Sequence, residues 1–190
     1  IVDSQMLRYK RLSSPQSWAD LHGKLAEYYD TLRNNLELEE EKRQRDETWQ
    51  SYTLNVLYHC LCQAPQKKLP VALNEFLAAL KNQRKFAERW AEIMVQVGKD
   101  ADAAEVQRWG ERLVEGLKAY DEKRYEVTVE MFTVLLEHSE IETQWRPVAL
   151  GWRGETYRSI KRYEEALKDF DRAIELDPKD AWPISRRGET

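Results

Sequence analysis

Apolar side chains recur along this chain at intervals of three and four residues, the spacing that gathers them on one face of an α-helix. Trp18, Leu21, Leu25, Tyr28, Tyr29 and Leu32 make one such stripe. Ser14-Pro15 reads as its start, with the hydroxyl capping and proline at the first helical position. Residues 1–14 are too irregular to predict an element, and the charged stretch 35–46 predicts a partly helical linker. Trp49, Tyr52, Val56, Leu57 and Leu61 then predict a helix capped by Asp46 and broken over 64–68. Leu73, Phe76, Leu77 and Leu80 predict a helix over 70–81, and Phe86, Trp90, Ile93 and Val97 one over 83–97, closed by Gly98-Lys99-Asp100. Further helices are expected near 101–119, 124–138, 147–160 and 163–176, with a last one beginning near 181. Val and Ile show no sustained alternation with polar residues, so strands are not expected. The reading is an all-α chain of antiparallel helix hairpins joined by short loops, an α-solenoid.

The last third repeats itself at a spacing of 34 residues. Arg153-Gly154-Glu155-Thr156 recurs as Arg187-Gly188-Glu189-Thr190, and Tyr157, Tyr163, Ala166, Phe170, Ala173 and Pro178 lie between the copies. A weaker copy sits 38 residues upstream, where Gly116, Tyr125 and Phe132 precede Gly154, Tyr163 and Phe170 and Thr128 stands at the place of Ala166. Gly154 should let the two helices of a pair approach, Tyr157 and Tyr163 fill the space between them, and Ala166 make the facing small contact. Phe170 and Ala173 should pack onto the next unit, and Pro178 should end the second helix. These expectations divide the chain into an N-terminal helical arm and linker (1–46), hairpins without a clear repeat (47–100) and a repeat region (101–190). Within the last, a degenerate copy covers 109–146, a clear one 147–180 and a truncated one 181–190.

Gly-x-x-Tyr followed by Ala-x-x-x-Phe and a late proline resembles the tetratricopeptide repeat. The resemblance covers 147–190 well and 109–146 in part. It implies a right-handed superhelix in which the first helix of each pair lines a groove for a peptide or protein partner. The groove positions would be Trp152, Glu155, Arg158 and Ser159, then Ser185, Arg186 and Glu189; Trp and Arg are frequent anchors of protein interfaces, although packing between repeats accounts for Trp152 equally well. Members that clamp a C-terminal carboxylate carry Lys and Asn where this chain has Gly151 and Glu155, so that activity is not implied. A looser pattern, Trp18-x-x-Leu21-His22 with Leu57-Tyr58-His59, resembles the linker of bacterial STAND signalling ATPases. By that resemblance the chain would be a sensor fragment whose ATPase core lies outside it.

Composition adds mainly exclusions. The net charge of −4 comes from 30 basic and 34 acidic residues mixed along the chain, which leaves no basic stripe for nucleic acid. No apolar run is long enough to span a bilayer, and no signal peptide is visible. Cys60 and Cys62 lie roughly 200° apart around a helix and should not bridge, which fits a reducing, cytoplasmic setting. No phosphate-binding loop, zinc motif or catalytic set is found, so no cofactor, metal or enzyme activity is expected. A Cys–His nucleophile pair using His59 lacks an orienting acid, and His22 and His59 read as packed or interfacial residues. The last helix should fray or be covered by another copy of the chain.

Overall fold

The computed structural model describes residues 11–190, so the first ten residues of the irregular N-terminal stretch lie outside it. Ten helices lie wholly among the described residues: α1 (Pro15–Asn34), α2 (Glu40–Arg43), α3 (Glu47–Gln63), α4 (Pro65–Asn82), α5 (Arg84–Asp100), α6 (Ala104–Asp121), α7 (Tyr125–Glu137), α8 (Arg146–Ser159), α9 (Tyr163–Leu176) and α10 (Ala181–Gly188). No strand occurs among the described residues. The chain divides into two compact units, the first ending at Glu111 and the second running from Arg112 to Thr190.

In the first unit α1 lies along α3, and α3 in turn contacts α4 and α5. Leu61, Leu73, Phe76, Leu77 and Val97 of the stripes that the periodicity marks are almost wholly withdrawn from solvent, joined by Ala87 and Met94, which those stripes do not name. Three local details differ from expectation. Ser14 does not cap α1, because its hydroxyl bonds Ser17 Oγ at 2.8 Å instead of a backbone amide. Helix α4 begins at Pro65, whose missing N–H costs nothing at a helix start, and Pro70 is carried inside it. Gly98 does not end α5. It is a point of close approach to α6, where a Cβ would lie 2.3 Å from that of Gln107, and the turn comes later at Asp102 with φ 54°. Asp46, by contrast, caps α3 as its side chain accepts from the Trp49 amide at 2.8 Å.

In the second unit α8 packs against both α7 and α9, and α9 packs against α10. The 38-residue offset is written into the backbone. Lys123 and Lys161 both turn through the left-handed region, at φ 60° and 62°. In each turn an amide reaches back five residues, Arg124 to the Ala119 carbonyl at 2.8 Å and Arg162 to that of Tyr157 at 2.9 Å. This closes the orphan carbonyls of the preceding helix and reverses the chain. Gly154 faces Phe170 of its own hairpin, so Phe170 fills the space within the pair. In the weaker copy Gly116 faces Met131, and Thr128, buried at the place of Ala166, donates to the Gly116 carbonyl at 2.9 Å. Tyr163 is 46% exposed and leaves the filling to Phe170 and Ala166.

Candidate functional site

The first helix of the clear hairpin and that of the following unit, α8 and α10, bring the sequence-predicted positions into one surface. Glu155 sits at its centre, nearly buried. It accepts two hydrogen bonds from Arg158, from Nη2 at 2.7 Å and from Nε at 3.0 Å. From α10, Arg186 Nε approaches Glu155 Oε2 to 3.8 Å, an ion-pair distance without a hydrogen bond. The Arg186 Nη1 donates to Glu189 at 2.7 Å, and Ser185 Oγ lies 3.3 Å from the same carboxylate. The order Arg158, Glu155, Arg186, Glu189 therefore alternates in sign and joins the two helices. Hydrogen bonding to Glu155 raises the Arg158 pKa above its ordinary value, and hydrogen bonding from Arg186 lowers that of Glu189. Ser159 is exposed, and its hydroxyl bonds the Glu155 carbonyl at 3.0 Å.

Trp152 completes the surface from within an aromatic row. Its ring meets Tyr120 of α6 edge-on at 5.7 Å and Trp182 of α10 at 5.6 Å. Trp182 lies over Gly151, where a Cβ would stand 2.5 Å from its ring, so the indole covers this glycine. Sequence reasoning missed Tyr120, Gly151 and Trp182 as members of this surface. The available signal was the run of aromatic residues on successive first helices, but they occupy unequal positions in the repeat.

The thiol–imidazole pair considered from sequence is not assembled for chemistry. Cys62 is buried, and desolvation pushes its pKa up to about 12, so the sulfur stays protonated and weakly nucleophilic. His59 instead meets His22. No group of three or more His, Cys, Asp or Glu side chains that could hold a metal ion occurs among the described residues. No described helix is long and apolar enough to cross a membrane.

Two antiparallel helices closed by a small-residue contact, followed by a third that continues the stack, define a helical-repeat interaction module. The family model of the tetratricopeptide repeat matches residues 147–180, the hairpin of α8 and α9 with the turn that follows it. No curated protein and no solved structure matches the chain. A repeat of this family serves protein–protein interaction.

Proposed function

We propose that the surface of α8 and α10 receives a peptide or protein segment, with Trp152, Glu155, Arg158, Ser159, Ser185, Arg186 and Glu189 as contact residues. The observation that supports this is the unbroken sequence of alternating charges across two successive first helices, flanked by the partly buried indole of Trp152. Two arginines and two glutamates balance, so the surface suits a partner carrying both signs with an aromatic or aliphatic anchor more than a uniformly acidic one. Peptides selected from a display library against the full chain supply the test. Ser159→Trp or Ser185→Trp places bulk on the exposed rim without touching the core, and at least a tenfold loss of affinity is expected. Unchanged affinity in both variants removes the assignment.

A second reading treats the chain as the sensor region of a STAND-type ATPase. It draws support from the packing of Trp18, His22, Tyr58 and His59, the residues of that resemblance, into one cluster. A phosphate-binding loop in the coding sequence upstream of Ile1 would favour it, and an upstream sequence without one would dismiss it. Self-association through α10 draws support from Ile184, 46% exposed, and from Gly188, where an added Cβ would meet no atom within 4 Å. Ile184→Glu should abolish any dimer seen by sedimentation. The two free cysteines fit a reducing, cytoplasmic compartment.

A further inference from the structure

The first unit contains a polar contact that the interaction surface does not use. His22 of α1 and His59 of α3 meet nitrogen to nitrogen, Nδ1 to Nδ1 at 2.9 Å. Their ring centroids are 4.9 Å apart, close to the sum of that gap and the two ring radii, so the nitrogens face each other nearly head-on. One ring must donate and the other accept, which makes a single proton the link between the two rings. His22 is 4% exposed and packs against Trp18, whose indole donates to the Cys62 carbonyl at 3.3 Å. His59 stacks on Tyr29 at 5.6 Å and borders a cleft of about 400 Å³ that also holds Arg89 and Gln96.

We propose that the His22–His59 pair is a proton-operated clasp that holds α1 on α3 at neutral pH and releases it on acidification. With a proton on both Nδ1 atoms the link becomes two N–H groups pointed at each other, and the contact turns repulsive. The surroundings offer little relief. Tyr58 and Cys62 on α3 are held neutral, the Tyr58 pKa being raised above its ordinary value by burial first. Arg89 on α5 is a like charge. Among the described residues, Asp100 on α5 is the carboxylate whose charge favours a protonated His22, and it already accepts from Tyr58 and Gln96, each at 2.8 Å. Two imidazoles without a third ligand make a poor seat for a resident metal, so the shared proton is the fitting occupant.

Burial lowers both histidines, His59 to about 4, with the charge of His22 lowering it further. A histidine lowered in the docked state binds its proton more readily once α1 is free. Docking is therefore fully supported above the free value of 6.5 and is progressively lost as pH falls toward the docked value of about 4. For His59 alone the opening equilibrium should rise about 30-fold between pH 7.5 and 5.

Hydrogen exchange of the full chain, corrected for the intrinsic pH dependence of the rate, reads this directly. Amides of α1 should lose protection by at least that factor at pH 5, while those around Leu73 and Leu77 of α4 keep theirs. Unchanged α1 protection overturns the clasp, as does equal loss in α1 and α4, which would be global unfolding. His22→Gln with His59→Gln should abolish the difference between the two pH values, and its persistence in that variant also counts against the proposal. Ring-resonance titration of the wild-type protein needs no variant: either histidine titrating at an ordinary value with α1 still docked would refute it.

Discussion

Arg153 grips Asp169 with two parallel hydrogen bonds, Nε at 2.7 Å and Nη2 at 2.8 Å, and turns its remaining Nη1 to Thr133 at 3.0 Å. One guanidinium thus ties α8 to the second helix of its own hairpin and to α7 before it. The pair is largely withdrawn from solvent, and Asp169 side-chain exposure is only 9%. Desolvation alone would lower the Arg153 pKa, but the bonds and charge of Asp169 outweigh it and raise the value.

Removing one partner leaves the other charge half-buried and unmatched, which costs more than the pair contributes. Arg153→Ala or Asp169→Ala should each destabilise the second unit by about 2–4 kcal/mol in urea unfolding. Arg153→Met with Asp169→Leu should cost much less than either alone. If that double variant is as unstable as the single ones, the pair's geometry matters beyond its charges.

Gly154 and Gly188 occupy equivalent places in successive copies but meet different neighbours. A Cβ on Gly154 would come within 2.8 Å of the Phe170 ring, whereas one on Gly188 would meet nothing within 4 Å. Alanine gains up to about 1 kcal/mol over glycine in a helix, and crowding a packed core costs roughly 1–3 kcal/mol. Gly154→Ala should therefore lose stability, while Gly188→Ala should be neutral or slightly stabilising. Thermal melts of the two variants give opposite signs if the packing is as described.

This contrast also explains what was legible beforehand. Gly154 and Phe170 have upstream counterparts in Gly116 and Phe132 because each hairpin sets a glycine against a bulky side chain, Phe170 in one copy and Met131 in the other, and such constraints leave a period in the sequence. The Asp46 cap was legible for a similar reason, being a local bond across three residues. The aromatic row was not, because Tyr120, Trp152 and Trp182 follow one another at spacings of 32 and 30 residues and break the repeat register. The meeting of His22 with His59 depends on how α1 lies along α3, which no local pattern encodes. Gly98 was misplaced because a glycine serves both a helix end and a close helix crossing, and only the neighbour, Gln107, tells them apart.

The alternating charges of the proposed interaction surface carry their own stability consequence. Arg186 is one-third exposed, and an exposed ion pair contributes little, so Arg186→Gln should cost under about 1 kcal/mol. Arg158→Gln combined with it strips Glu155 of both cations and leaves a nearly buried carboxylate with no counter-charge. That double variant should lose about 1–3 kcal/mol, and adding Glu155→Gln should recover most of it. Urea midpoints for the three proteins decide the matter. An additive series without recovery would mean that Glu155 is not the hub. Binding measurements on this face should accordingly use the single variant, so that lost affinity is not lost folding.

Cys62 offers a chemical check on the first unit. Only the thiolate reacts with alkylating agents, and burial, foremost, raises this thiol from 9.0 to about 12. Below pH 9 the folded chain should hold about a thousandfold less Cys62 thiolate than the unfolded one. Iodoacetamide at pH 8 should accordingly leave Cys62 intact in the native protein and modify it rapidly in denaturant. The same shift links to stability. Because the folded value is raised, the stabilisation is complete below 9.0 and drains away as pH climbs from there toward 12, where the unfolded thiol is already ionised. Cys62→Ala should remove that alkaline loss while opening a small cavity in the core, so the variant would be less stable at pH 7 yet less sensitive between pH 9 and 11. Rapid native alkylation of Cys62 would show instead that α1 does not stay docked over it, since Trp18 of that helix donates to the Cys62 carbonyl.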